Sequence, residues 1–128
     1  GKDKGISIGV EDYSDIDKTF DVKAIKNQVE LKLKLAGIKV AEKDSYDWIT
    51  INMPPLILGE RQVGYHLSIK AQRKMTFNYN GKEYATLGSS IIDYAGATPN
   101  NYRQDLDKYL DELLLDYLKA NPITPKDQ

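Results

Sequence analysis

YHLSIKAQRKMTFNYNGKEYATLGSSIIDY, residues 65–94, is the stretch whose pattern decides the fold. In its first half Tyr65, Leu67, Ile69, Ala71, Met75, Phe77 and Tyr79 alternate with His66, Ser68, Lys70, Gln72, Lys74, Thr76 and Asn78. A period of two sends successive side chains to opposite faces of a strand, so the alternation predicts one long strand with a buried and a wet face. Arg73 alone breaks the pattern. Asn80-Gly81 then offers two residues that tolerate positive φ, as a two-residue type I′ hairpin turn requires. Counting outward from that turn sets Tyr79 opposite Lys82, Phe77 opposite Tyr84, Met75 opposite Thr86, Ile69 opposite Ile92 and Leu67 opposite Tyr94. Apolar residues meet across this ladder, which makes the register self-consistent. Gly88 falls opposite Arg73, where a bulge or a close approach is expected.

Upstream, residues 6–11 alternate over a shorter length and predict a first strand. After an acidic turn at residues 12–17, Asp21 is placed to cap a helix whose apolar positions Val22, Ile25, Val29, Leu33 and Ala36 recur at steps of three and four. Leu31 and Leu35 widen that face, lysines fill the remainder, and Gly37 ends the helix. A short strand at residues 38–40, a polar turn around Lys43-Asp44-Ser45 and a strand at about 46–53 follow. Pro54-Pro55 ends that strand, because proline donates no ladder hydrogen bond. Downstream of the hairpin, Gly96-Ala97-Thr98-Pro99 leads to a last helix capped by Asn100 or Asn101. Its apolar face is Tyr102, Leu106, Tyr109, Leu110, Leu113, Leu114, Tyr117 and Leu118, and Asn121-Pro122 ends it.

The order β-α-β-β-β-β-α predicts an α+β fold. A single mostly antiparallel or mixed sheet with a long hairpin would carry both helices on one face, burying both apolar stripes together. A parallel crossover from the first strand through the first helix would make the sheet mixed. At 128 residues the chain suffices for a single domain, 1–128, with an ordered core at about 6–121 and tails at 1–5 and 123–128. The 18 basic and 19 acidic residues nearly cancel, so no overall field draws in nucleic acid. The absence of cysteine removes disulfides, thiolate nucleophiles and cysteine metal sites. No apolar run reaches the roughly 20 residues needed to cross a bilayer. The polar start at Gly1, without methionine, reads as a trimmed or processed chain.

No catalytic, cofactor or metal set emerges. His66, the single histidine, falls on the wet face of the long strand without partners for a metal site or a triad. Ser89-Ser90 lacks the Gly-x-Ser-x-Gly elbow of a nucleophile. The cluster Glu11, Asp12, Asp15, Asp17 and Asp21 fails the calcium-loop pattern, with Phe20 where glycine and Lys26 where glutamate would stand, and reads as a solvated loop. Of the nine tyrosines, Tyr65, Tyr79, Tyr84 and Tyr94 fall on the core side of the hairpin and Tyr102, Tyr109 and Tyr117 on the buried helical face, which leaves little for a stacking surface. Lys70, Arg73 and Lys74 split between two faces of one strand and make no phosphate patch.

The helix ending Val29-Glu30-Leu31-Lys32-Leu33-Lys34-Leu35-Ala36-Gly37-Ile38-Lys39-Val40, with the closing helix of residues 110–122, resembles small exported bacterial proteins of uncharacterised function. More distantly, the layout is similar to the anticodon-binding-like N-terminal domain of the periplasmic Tol translocation protein and to related envelope lipoprotein domains. The resemblance implies export, a periplasmic or cell-envelope location with a lipid anchor upstream, and an interaction role. It carries over no catalytic residue. The expected function is therefore a non-catalytic interaction or assembly domain of the envelope, whose partner is another envelope protein or a second copy. The alternatives are a small-ligand binder, showing as a pocket lined by Trp48 and tyrosines, and a hydrolase using carboxylates or tyrosines. Leu56-Ile57-Leu58, three aliphatic residues between two prolines and a turn, is the expected partner-binding segment: it either continues the sheet or lies exposed to dock on a partner.

Overall fold

Residues 61–73 form the spine of a mixed sheet. The structure, a computed structural model, describes residues 5–42, 45–86 and 90–120, without the side chains of 90–93. Its elements are β1 (Ile6–Val10), α1 (Val22–Leu35), β2 (Asp47–Asn52), β3 (Pro55–Leu58), β4 (Arg61–Arg73), β5 (Met75–Tyr79), β6 (Lys82–Thr86), β7 (Ser90–Thr98) and α2 (Arg103–Ala120). β4 pairs antiparallel with β2 and β3 and with β7, while β1 lies parallel to β2. The parallel pair makes the α+β sheet mixed. Residues 38–40 contribute one parallel bridge, Ile6 to Val40.

Both helices cover one face of this sheet. Asp21 caps α1 by accepting from the Ala24 N–H at 3.0 Å, and Ile25, Val29 and Leu33 are fully buried. Leu106, Leu110, Leu113, Leu114 and Tyr117 of α2 join them over Ile49, Ile51, Leu67, Ile69 and Ala71 in one core. Between the helices, the Gln28 side-chain amide donates to the Arg103 carbonyl at 3.0 Å and to Asp107 at 2.9 Å, and Lys32 pairs with Asp111 at 2.7 Å. Leu31 and Leu35 do not widen the buried face of α1; they are 59% and 78% exposed. A helix resting on a sheet and one neighbour covers only a stripe of about 100°, and these two leucines lie on its flank.

The long strand is interrupted. β4 ends at Arg73, and β5 and β6 form a separate two-stranded hairpin, here called the arm. Its turn is the expected one, with Asn80 and Gly81 at φ 50° and 78°, and Tyr79↔Lys82, Phe77↔Tyr84 and Met75↔Thr86 pair as the count from the turn requires. Further back the register departs: Ile69 faces Tyr94 and Leu67 faces Gly96, two residues beyond Ile92 and Tyr94, with an irregularity between Ala71 and Gln72. An offset of two preserves which face each side chain takes, so the buried face of β4 survives. Gly88, Ser89, Lys43-Asp44, Asn121-Pro122 and the tail residues 1–4 and 123–128 lie outside the described residues.

The larger departure is burial. Every residue of the arm is exposed, including Met75, Phe77, Tyr79 and Tyr84. Tyr79 and Tyr84 thus leave the expected core, whereas Tyr65 and Tyr117 are buried and Tyr94, Tyr102 and Tyr109 pack partly against it. Length explains the difference. The 18 residues of α2 span about 27 Å at about 1.5 Å each, while the extended run from Arg61 to Tyr79 is more than twice as long at about 3.3 Å per residue. The helices end before the strand does.

β2 ends at Asn52, just ahead of Pro54-Pro55 as expected, but pairing with β4 resumes at once. The Pro54 carbonyl accepts from the His66 N–H at 2.9 Å, and Pro55 opens β3, the edge position where proline is tolerated.

Candidate functional site

Three features on the surface invite a partner, and each has a local cause. The first is β3. Among the described residues it pairs with β4 alone, and its register shifts between Leu56 and Ile57. The shift breaks the in-and-out alternation, so Leu56 is half-buried while Ile57 and Leu58 are 54% and 70% exposed. The segment therefore both continues the sheet and presents aliphatic surface.

The second is the arm, which the alternation disguised as core. Phe77 and Tyr84 stack across its ladder with ring centroids 5.5 Å apart and planes 20° from parallel. Where the arm leaves the sheet, Arg73 holds Asp47, its register partner, through Nε at 2.7 Å and a second guanidinium nitrogen at 3.1 Å, and the Tyr117 hydroxyl donates to the same carboxylate at 2.9 Å. Burial pushes the Asp47 carboxyl up, but the bonds from Arg73 and Tyr117 outweigh it and hold it below the ordinary carboxylate value. This clamp closes the end of the core. Arg73, the one residue out of pattern, was the sequence signal that the buried face stops there.

The third is a groove of about 570 Å³ between β1, Trp48 and the base of the arm, lined by Ser7, Ile8, Gly9, Trp48, Lys74 and Thr86 among others. It contains Trp48, as a ligand pocket was expected to, but no tyrosine. A smaller, polar hollow of about 260 Å³ lies beside it on the open sheet face, over Thr50, Asn52, Lys70 and Gln72.

The tyrosines instead use their hydroxyls as ties. Tyr65 donates to Asp17, Tyr94 to Asp116 and Tyr117 to Asp47, fastening a loop and a helix to the sheet. Asp17, expected in a solvated loop, is 7% exposed. Its carboxylate also accepts from the Thr19 N–H and hydroxyl at 2.9 and 2.7 Å and from Gln62 at 3.2 Å. Burial pushes Asp17 up, but these bonds prevail and bring it down to about 2, while burial and the bond to Asp17 push the Tyr65 hydroxyl up. Asp17 stays ionised and Tyr65 protonated across the neutral range, so the pair anchors structure and exchanges no proton there. No sequence pattern marks Asp17, because its partners Gln62 and Tyr65 are distant in the chain.

This tie has a pH signature. A carboxyl whose folded value is about 2, against an ordinary value of 3.8, adds stability that is complete above about pH 4 and lost as pH falls toward 2. Tyr65→Phe removes one of its donors. The stability lost between pH 7 and pH 3, measured by urea unfolding, is expected to be smaller in the variant than in the parent. An equal loss in both would mean that Tyr65 does not set the Asp17 ionisation.

His66 is exposed on β4, and Ser90 begins β7. Among the described residues no three histidine, cysteine or acidic side chains come together as a metal site, and no helix is long and apolar enough to cross a membrane. Leu56, Ile57 and Leu58 stand together on β3, far along β4 from the arm.

No protein-family model and no curated protein matches the chain. Among solved structures, the crystal structure of a minor lipoprotein from Acinetobacter baumannii is similar at 15% identity and a TM-score of 0.30, over 90% of this chain and 85% of that one. At that score the likeness defines neither fold nor role, and none of these findings supports the Tol-like part of the resemblance.

Proposed function

We propose that this chain is a non-catalytic interaction domain of the bacterial cell envelope, which captures another envelope protein or a second copy of itself on its exposed strands. The observation that carries the interaction role is the arm. A two-stranded hairpin alone is marginally stable in water, yet this one keeps its turn and register while Met75, Phe77, Tyr79 and Tyr84 lie uncovered. Exposed contiguous apolar surface of this kind is what a partner covers. Ile57 and Leu58 at the opposite end of β4 supply a second, smaller surface. The envelope location rests on the sequence resemblance at residues 29–40 and 110–122.

Two double variants test the role, Phe77→Ser with Tyr84→Ser on the arm and Ile57→Ser with Leu58→Ser on β3. Because all four side chains are exposed, each variant is expected to keep the parent melting temperature within a few degrees. At least one is expected to lose self-association in sedimentation equilibrium, or partner cross-linking in cells producing the full-length protein. Association and cross-linking unchanged in both would reject the interaction role. Recovery of the full-length protein only in the cytosolic fraction would reject the envelope location.

A further inference from the structure

Gly9 has no structural reason to be glycine. It lies inside β1 opposite Thr50, it is not among the glycines with positive φ, and a Cβ built on it meets no atom within 4 Å. Elsewhere glycine is demanded: a Cβ at Gly64 would stand 2.1 Å from the Thr98 carbonyl oxygen. A glycine in a strand interior weakens the strand, and where the fold does not need it, it marks a place that something else approaches.

What surrounds Gly9 names the visitor. The missing side chain leaves open the groove beside Trp48, which sits one pair back along the same face, opposite Ser7. The indole N–H donates to the Gln72 side-chain carbonyl at 3.0 Å, which fixes the ring in place. At the other side stands Lys74, whose ammonium makes no ion pair among the described residues. Among the described residues no carboxylate lines the groove, and its volume of about 570 Å³ is that of a small-molecule site. An indole face stacks on flat rings, aromatic or sugar, and a lysine without a counter-ion attracts an anion.

We propose that this groove binds a small ring compound carrying one anionic group, with the ring over Gly9 against Trp48 and the anion at Lys74. Two sources share that chemistry, an aryl acid and a sugar acid, and paired probes separate them: 4-hydroxybenzoate against phenol, and glucuronate against glucose. Trp48 is the only tryptophan, so its fluorescence reports on the groove alone. A saturable change in emission is expected for one anionic probe, with a dissociation constant of about 1 mM for a ligand of this size, and at least about tenfold weaker binding for its neutral counterpart. Lys74→Gln is expected to reduce the anionic probe to the neutral level. Gly9→Val fills the site and is expected to abolish the response while the melting temperature stays level or rises. Gly9→Ala, the gentler change, should weaken binding in the same direction should valine perturb the strand. The proposal is overturned if neither anionic probe gives a saturable change, if the neutral compounds bind equally well, or if both Gly9 variants fold and respond like the parent.

Discussion

Leu113→Ala is expected to lower the stability of the domain by about 2–5 kcal/mol, measured by urea unfolding at pH 7. Leu113 is fully buried in the middle of α2, with Leu110 and Leu114 beside it in the core that α2 shares with α1 and the sheet. Removing three carbons there loses their transfer from water and leaves a cavity, because helices held together by Gln28 and Lys32 and tied to the sheet by Tyr94 and Tyr117 have little freedom to close it. Leu115, two residues on, is 58% exposed, and Leu115→Ala is expected to change stability by less than about 0.5 kcal/mol. A loss below that figure at Leu113 as well would show that α2 does not close the core.

The second large effect belongs to Gly64→Ala. The new Cβ would stand 2.1 Å from the Thr98 carbonyl oxygen and 3.1 Å from the Pro99 Cα, both backbone atoms. Overpacking of this kind costs about 1–3 kcal/mol where a neighbour can give way, and more where it cannot. Thr98 is poorly placed to yield: it pairs with Tyr65 in the β4–β7 ladder, and its hydroxyl donates to Asp105 in the first turn of α2. The variant is therefore expected to lose at least about 3 kcal/mol in the same unfolding measurement. Parent-like stability would mean that β7 ends before it reaches Gly64.

What could be seen in advance was local. Alternation through Ala71, the Asn80-Gly81 turn, the Asp21 cap and the apolar stripe of α2 each announce a conformation by residue spacing alone, and the structure contains all four. What stayed hidden depended on length and on distant partners. Met75, Phe77 and Tyr79 resume the alternation of Tyr65, Leu67 and Ile69 after the single break at Arg73, yet nothing in a period of two tells how far the covering helices extend. The irregularity at Ala71 and Gln72 moved the pairing by two residues, which a count from the turn cannot anticipate. Asp17 looked like its acidic neighbours because burial came from Gln62 and Tyr65, more than forty residues away. Of the candidate surface, Leu56-Ile57-Leu58 was legible as an anomaly of composition, whereas the arm was concealed by its resemblance to core.

The clamp of Asp47, Arg73 and Tyr117 also divides the chain into two regimes of selection. On its inner side a substitution is tested against the close-packed interior, and most changes of volume are penalised. On its outer side no arm residue is buried, so the fold places almost no demand on the identity of Met75, Phe77, Tyr79 or Tyr84 beyond their ability to sit in a hairpin. A segment so decoupled opens and closes without unfolding the domain. Its sequence is then free to diverge quickly between related proteins, or to stay fixed only where a contact outside the molecule holds it, while the sheet and helices that carry it change slowly.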